Sequence, residues 1–132
     1  AAALATICKH RRENVPQHLM DVGTRLQEGL KTAATEAEFN VHVSGMPPMT
    51  HFEFEYPSKQ ALHTLFTQMM LDRGFLATSS FYGTYAHQYE HIDSYVTAVR
   101  EVFPLLAEAV RSDTVEKQLR GPVAHTGFHR LT

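Results

Sequence analysis

The chain has 132 residues, of which 43% are apolar and 20% charged, a composition typical of one folded domain and not of a disordered segment. Twelve Lys and Arg residues against 14 Asp and Glu give a formal net charge of −2, so no basic excess indicates nucleic acid or an anionic membrane as partner. No apolar run reaches the roughly 18–20 residues of a membrane-spanning helix. A lone cysteine, Cys8, excludes an intrachain disulfide, and without a signal-peptide pattern the chain is predicted to be cytoplasmic.

Helical periodicity dominates the first third of the chain. The Ala-rich residues 1–12 predict a helix, and because no capping side chain precedes it, we expect a piece of a longer protein cut inside a helix, or a trimmed terminus. Asn14 and Pro16 predict a break followed by a second helix to about Glu38. The second helix has one apolar stripe, formed by Leu19, Val22, Leu26, Leu30 and Ala33.

Alternating apolar and polar residues then predict two strands. Residues 39–44 and 50–56 alternate, and the Gly and two prolines between them predict a turn, so the strands form an antiparallel pair. A helix opening at Pro57 ends near Gly74, which suits a left-handed cap. The short apolar run Phe75-Leu76-Ala77 is interpreted as a third strand.

A loop over residues 78–89 and a long helix over residues 90–111 follow. Pro104 is expected to kink that helix, residues 113–119 predict one more short helix, and the tail is predicted to be irregular. The order α-α-β-β-α-β-α predicts an α+β fold, with a small, mostly antiparallel three-stranded sheet and helices packed on one face. The inward stripe of the long helix is predicted to be Ile92, Val96, Val99, Phe103 and Leu106.

Nine histidines invite a metal-binding interpretation. Two pairs, His87/His91 and His125/His129, have the four-residue spacing that places both side chains on one helix face. The HExxH form is absent, His87 falls in the predicted loop, and His51 or Glu53 would have to supply a third ligand. Surface or capping histidines are the favoured interpretation, and a histidine-rich metal protein remains an alternative.

Motifs for nucleophilic catalysis are absent. Cys8 is followed by His10, but residues so close in a helix do not face each other, so Cys8 is expected to be a small buried residue. Neither a Gly-rich phosphate loop nor a GxSxG elbow occurs, and no catalytic residue is assigned. Glu53 and Glu55 share one face of a strand, which a solvated surface explains as well as acid–base catalysis does.

Hydroxyl and aromatic groups are concentrated in residues 79–87. Such a mixture suits the wall of a polar pocket, and a surface loop whose tyrosines pack on the sheet is the alternative. The candidate substrate-binding residues of this segment are Ser79, Ser80, Tyr82, Tyr85 and His87.

Four stretches together resemble the small C-terminal domain of class III pyridoxal-phosphate aminotransferases, most closely the glutamate-1-semialdehyde aminomutase-like subgroup. They are Ala3-Leu4-Ala5-Thr6, Leu26-Gln27-Glu28-Gly29-Leu30, Met70-Leu71-Asp72-Arg73-Gly74-Phe75-Leu76 and Ala86-His87-Gln88-Tyr89-Glu90-His91-Ile92-Asp93. The resemblance covers residues 1–111, with connecting helices in 1–37 and the sheet-and-helix core in 38–111. Residues 112–132 are interpreted as a C-terminal extension.

The resemblance implies that the intact protein is a homodimeric transaminase or aminomutase acting on a small carbonyl substrate. Pyridoxal phosphate, its Schiff-base lysine and its phosphate site would belong to a missing N-terminal domain, so this chain alone would be inactive and bind no cofactor. Apolar surface at Met46, Met49 and the first helix is expected to face that domain or a second subunit. A stand-alone binding or interaction domain is the alternative from another class.

The chain departs from the aminomutases in its loop. Their segment before the Ala-His run carries Phe-Glu-Ala-Gly, whereas here Phe81 is followed by Tyr82, Gly83 and Thr84. The carboxylate is therefore replaced by a neutral hydroxyl that can donate or accept a hydrogen bond. The difference puts glutamate semialdehyde in doubt as the substrate and is compatible with a different amino donor or another carbonyl acceptor, such as a sugar or a small ketone.

Overall fold

A computed structural model describes residues 2–125 of the chain. The described part is mostly helical and contains one small antiparallel sheet. Its helices are α1 (Ala2–Arg12), α2 (Val15–Glu36), α3 (Lys59–Asp72) and α4 (Tyr89–Arg111). Its strands are β1 (Val41–Ser44) and β2 (His51–Phe54), and 3₁₀ turns cover Pro47–Met49 and Glu116–Gln118.

The first two helices are separated where the sequence predicts a break. Asn14 has a φ of 47°, a left-handed conformation that asparagine tolerates better than most residues, and Pro16 lies in the first turn of α2. Helix α1 buries none of its residues, and Leu4 is 67% exposed and Ile7 51% exposed. The prediction that Cys8 is buried is wrong: it is exposed, because nothing in the described chain covers α1.

The core lies between α2, α3, α4 and the inner face of the sheet. Helices α2 and α4 approach closely where Gly29 faces Val96, since a methyl group at Gly29 would lie 2.5 Å from a Val96 methyl. Phe54 contacts both Phe66 of α3 and Phe103 of α4, with ring centroids 5.8 and 6.1 Å apart. The apolar stripe predicted for the long helix is buried in full, which confirms it.

The predicted three-stranded sheet is wrong, because β1 and β2 are the only strands of the described residues. Residues 75–77, interpreted as a third strand, instead form hydrogen bonds with α3. The backbone N–H of Phe75 donates to Met70 O, as part of the helix cap at Gly74, and the Thr67 hydroxyl donates to Ala77 O. Leu76 is 91% exposed. These bonds occupy the groups that a sheet ladder would need.

A single bridge nevertheless joins the following loop to the sheet. Ser80 lies opposite His51 in antiparallel orientation, flanked by the hydrogen bonds Phe52 N to Ser79 O, at 2.9 Å, and Phe81 N to Thr50 O, at 2.8 Å. Because successive N–H groups of a strand point to opposite edges, this bridge lies at the edge of β2 away from β1. The third segment therefore pairs a few residues later than predicted, and only once.

The long helix α4 continues as one element through Pro104. The chain then turns back at Asp113, whose φ is 52°, and Val115 is buried against the core. The short helix predicted near residues 113–119 is present only as the 3₁₀ turn Glu116–Gln118. Among residues 2–125, no helix has both the length and the apolar character that a bilayer span requires.

Candidate functional site

The loop of residues 79–87 is fixed at its beginning by a contact with β2. The Ser80 hydroxyl lies 3.0 Å from His51 Nδ1, between residues that face each other across the bridge. Facing positions of this kind bring side chains close together. The Ser80 backbone N–H donates in turn to the Thr78 hydroxyl, at 3.2 Å. The first part of the loop is thus held by hydrogen bonds of both the backbone and the side chain of Ser80.

The end of the loop is fixed by a histidine of α2. His18 Nε2 donates to the carbonyl oxygen of His87 at 2.7 Å, and because a carbonyl oxygen only accepts, His18 carries its proton on Nε2. The His87 ring is oriented in the same way, since its Nδ1 accepts the Thr84 backbone N–H at 2.9 Å. A neutral His87 therefore carries its proton on Nε2, as a hydrogen-bond donor.

The middle of the loop presents two tyrosines. Tyr82 is 64% exposed, and its hydroxyl has no hydrogen-bond partner among residues 2–125. Tyr85 is also exposed and packs edge-on against His18, with ring centroids 5.1 Å apart. Phe81 packs against the His87 ring, with ring centroids 5.0 Å apart, and is itself partly buried against the core. The loop therefore combines fixed ends with a free hydroxyl at its tip.

The five predicted site residues lie on this one segment but do not converge on a single point. Ser80 is engaged with His51, the Ser79 carbonyl oxygen with the backbone of Phe52, and His87 Nδ1 with Thr84. The hydroxyls of Tyr82 and Tyr85 make no hydrogen bond to a residue in the range 2–125, and Tyr82 is the more exposed of the two. A cleft of about 560 Å³ lies elsewhere, between residues 56–58 and 113–117.

Ser80, His51 and Glu53 resemble the parts of a nucleophilic relay but lack its geometry. The distance from His51 Nε2 to Glu53 Oε1 is 3.6 Å, too long for a hydrogen bond. The Ser80 backbone N–H, which could stabilise an oxyanion, already donates to Thr78. The three side chains therefore form a cross-strand clamp that positions the loop, with no activated nucleophile.

The histidine pairs have separate local roles where the structure describes them. His87 Nδ1 accepts the Thr84 N–H, and His91 Nδ1 accepts the N–H of Gln88 at the start of α4. His129, from the second pair, lies outside the described residues. Within residues 2–125, no three His, Cys, Asp or Glu side chains lie close enough to share a metal ion.

The start of α4, directly after the loop, is joined to α2 by an ion pair. Arg25 Nη2 donates to Asp93 Oδ2 at 2.8 Å, and Arg25 Nε donates to the other carboxylate oxygen. The Arg25 guanidinium also lies 5.4 Å from the centre of the Tyr89 ring. Its hydrogen bond holds the pKa of Asp93 below the usual value, so the pair is charged at neutral pH.

Three residues that shape the site were missed at the level of sequence. His18 holds the end of the loop, and Thr50 is buried and donates to Pro47 O at 2.9 Å. His51 was considered only as a metal ligand, yet it fixes Ser80. A hydroxyl-rich segment can be recognised from its composition. The residues elsewhere in the chain that contact it cannot, because nothing in their own neighbouring sequence distinguishes them. No protein-family model matches this chain, and no curated protein is significantly similar to it.

Proposed function

We propose that this chain is the C-terminal small domain of a class III pyridoxal-phosphate-dependent aminotransferase, resembling the glutamate-1-semialdehyde aminomutase-like subgroup. In this role it closes one side of a substrate cleft in a protein that transfers an amino group to a small carbonyl compound. The observation that carries the proposal is the loop of residues 79–87, which is fixed at both ends and presents the unpartnered Tyr82 hydroxyl. A fixed loop with a free polar tip suits substrate positioning.

The exposed apolar surface supports a missing domain as partner. Helix α1 buries nothing, although an isolated helix of this length is only marginally stable in water. Met46 and Met49 flank the turn at Pro48 and are exposed, as expected from the sequence. The backbone N–H of Gly83 donates to Pro48 O at 2.7 Å, so this surface adjoins the loop. We propose that the preceding domain, and a second copy in a homodimer, cover these residues in the cytoplasm.

The cofactor belongs to the preceding domain in this proposal. Pyridoxal phosphate would supply an electron sink for the carbon that loses its proton. The lysines of this chain do not fit the covalent attachment of pyridoxal phosphate. All of them are exposed, and Lys59 Nζ lies 3.8 Å from a carboxylate oxygen of Glu53. The chain's own part is to bind and orient the substrate. The four lysines of the chain are Lys9, Lys31, Lys59 and Lys117.

The loop chemistry favours a neutral substrate group. The Tyr82 hydroxyl can donate or accept, and His87 offers an Nε2–H in its neutral form. The proposed acceptor therefore carries a hydroxyl or carbonyl group at the position that meets the loop, as a sugar or a small ketone does.

The test begins with the coding DNA upstream of Ala1. A reading frame of roughly 300 further residues, a size typical of one large or two ordinary domains, is expected to encode the lysine-bearing domain. The protein expressed from that frame should bind pyridoxal phosphate and transaminate. A start codon just before Ala1 would contradict the proposal and favour a stand-alone binding domain. Stoichiometric zinc or nickel in tag-free protein would favour the histidine-rich metal alternative.

The loop is tested in the same protein by Tyr82→Phe. Loss of one hydrogen bond to a neutral group is expected to raise the KM for the amino acceptor roughly three- to tenfold, with cofactor affinity unchanged. Tyr89→Phe is the matched control, because Tyr89 is also exposed but lies outside the loop, against Arg25. An unchanged substrate profile for Tyr82→Phe would contradict the substrate-positioning role of the loop, whereas the upstream reading frame and cofactor binding test the domain assignment.

A further inference from the structure

Two histidines close consecutive turns at the end of the candidate loop. In the first turn, the backbone N–H of His87 donates to Thr84 O at 3.0 Å, and the Thr84 N–H donates back to His87 Nδ1 at 2.9 Å. In the second turn, the N–H of His91 donates to Gln88 O, and the Gln88 N–H donates back to His91 Nδ1, both at 3.1 Å. The four-residue spacing of the two histidines is therefore the spacing of two adjacent turns of one form.

Both turns require an imidazole whose Nδ1 carries no proton. A neutral ring accepts a hydrogen bond at one of its nitrogens, whereas an imidazolium has N–H groups at both and accepts none. A protonated His87 can still donate to the Thr84 hydroxyl, 3.1 Å from Nδ1, but the Thr84 backbone N–H then faces another N–H group. Protonation therefore removes from each turn the bond between the side chain and the backbone N–H.

The position of His91 in α4 gives a second reason why its protonation is unfavourable. His91 is the third residue of the helix, where its ring caps the backbone N–H of Gln88. The positive end of the helix dipole lies there, so a cation at this position is destabilising. Glu or Gln usually fills this capping position. Histidine supplies an equivalent acceptor only while it is neutral.

The charged groups around the two turns offer the protonated rings no partner. None of the ion pairs formed within residues 2–125 includes His87 or His91. The bond from His18 Nε2 to His87 O is kept when His18 is protonated, because Nε2 donates in both states. The titratable groups on the neighbouring elements are His18, Asp21 and Arg25 of α2 and His51 of β2. Those of the loop and the start of α4 are Tyr85, Tyr89, Glu90 and Asp93.

We propose that His87 and His91 form an acid-sensitive latch, which holds residues 84–88 closed while both rings are neutral and releases them when the rings are protonated. In the released form the N–H groups of Thr84 and Gln88 bond to water. Histidine changes its charge between about pH 5 and 8, so the latch responds to pH in the physiological range. The latch does not rest on the proposed function, because it concerns the conformation of this chain alone.

The test is amide hydrogen exchange of the full chain at about pH 7.5 and about pH 5, read as protection factors so that the intrinsic pH dependence of exchange is removed. Protection of the Thr84 and Gln88 amides is expected to fall roughly fivefold or more on acidification, since each loses one hydrogen bond. The double variant His87→Asn with His91→Gln replaces each ring nitrogen by an amide oxygen that accepts but does not titrate. Its protection at the same two amides is expected to change less than roughly twofold.

The single variants assign the response to each turn. His87→Asn is expected to abolish the acid response of the Thr84 amide alone, and His91→Gln that of the Gln88 amide alone. The matched control is His42→Gln, because His42 is exposed on β1 and makes no hydrogen bond to any residue of the range 2–125. Both responses should persist in this control.

Three outcomes would overturn the latch. The first is an equal loss of protection in the unmodified chain and the double variant, and the second is no loss in either. Protonation of His63 is common to all these proteins, so it cannot produce a difference between them. The third outcome comes from ¹⁵N NMR of the unmodified chain at neutral pH, which reports the proton position on each ring and keeps the test decisive if the double variant loses its helical circular dichroism. We expect Nδ1 of His87 and His91 to be unprotonated, and a proton on either Nδ1 would contradict the latch.

Discussion

The α-carbon of Gly23 in α2 lies against the carbonyl group of Pro47, in the turn between the two strands. A methyl group at Gly23 would lie 2.1 Å from the Pro47 oxygen and 2.2 Å from its carbon. The same oxygen accepts the hydroxyl hydrogen of Thr50, which is buried. Because Met46 and Met49 flank this turn and Gly83 bonds to Pro48, the contact between Gly23 and Pro47 positions the surface beside the candidate loop.

Gly23→Ala is expected to destabilise the chain by about 2–3 kcal/mol, because backbone atoms cannot move aside as a flexible side chain can. Helix propensity alone predicts the opposite sign, a gain of about 1 kcal/mol. Urea unfolding followed by circular dichroism measures the difference. Gly121→Ala is the control, since no atom lies within 4 Å of the added methyl group, and it should change stability little. A more stable Gly23→Ala protein would contradict this packing.

Thr50→Val is expected to lower the free energy of unfolding by about 1–2 kcal/mol. Valine has nearly the same shape, so the cost comes from the Pro47 carbonyl, which loses the hydroxyl that donates to it at 2.9 Å. Thr97→Val, at an exposed position of α4, is the matched control and should stay within about 0.5 kcal/mol of the unmodified chain. Equal effects of both substitutions in chemical denaturation would argue against a structural role for the Thr50 hydroxyl.

His18→Phe is expected to loosen the end of the candidate loop. The ring packing against Tyr85 is largely kept, but the hydrogen bond from Nε2 to His87 O is lost, at a cost of about 1 kcal/mol. Amide hydrogen exchange of residues 84–88 should therefore accelerate roughly fivefold, while that of α3 stays unchanged. His18→Gln retains a donor of similar reach and should preserve most of the protection. Identical exchange in His18→Phe and the unmodified chain would exclude this anchor.

His63 is expected to make stability fall as the pH is lowered. Its Nδ1 is buried without a hydrogen-bond partner, and its ring packs on Phe54 with centroids 4.5 Å apart. Burial lowers the pKa of His63 below 6.5 in the folded chain; Glu53 opposes this shift, whereas His51 and Lys59 add to it. The unfolded chain therefore binds the proton more readily. The stability contributed by the neutral ring is complete above about pH 6.5 and is lost as the pH falls from there through the folded pKa.

His63→Leu measures that contribution separately from the other histidines. Free energies of unfolding at about pH 7.5 and about pH 5.5 are compared for the variant and the unmodified chain. The loss on acidification should be smaller in His63→Leu, because the remaining titrating groups are common to both proteins. The same loss in both would show that protonation of His63 is not coupled to folding.

Local periodicity predicted most of the helical structure. The stripe containing Val96 and Phe103 was identified because residues three or four apart share a helix face, and that face is buried. Gly74 was placed correctly at the end of α3, with a φ of 84°, since few other residues adopt that conformation without strain. These features depend on neighbours in sequence, which is why the sequence alone is sufficient.

The third strand shows where local reasoning fails. Residues 75–77 are apolar enough for a strand, but Thr67 and the cap of α3 occupy their backbone groups. Pairing with β2 begins only at Ser80. Short apolar runs are compatible with several conformations, and the competition for their backbone hydrogen bonds decides among them.

By itself, the sequence determined the four helices, the buried stripe of α4, the hairpin and a loop rich in hydroxyl and aromatic groups. Only the tertiary structure decided what holds that loop, which backbone carbonyl Gly23 must accommodate and where the segment after α4 binds. His18 reaches His87 across 69 positions of the chain, and Thr64 reaches Ala124 across 60. Periodicity indicates which face of a helix or strand is buried. The partner of a polar group depends on how separate elements pack, so no local pattern predicts a contact between residues 60 or more positions apart.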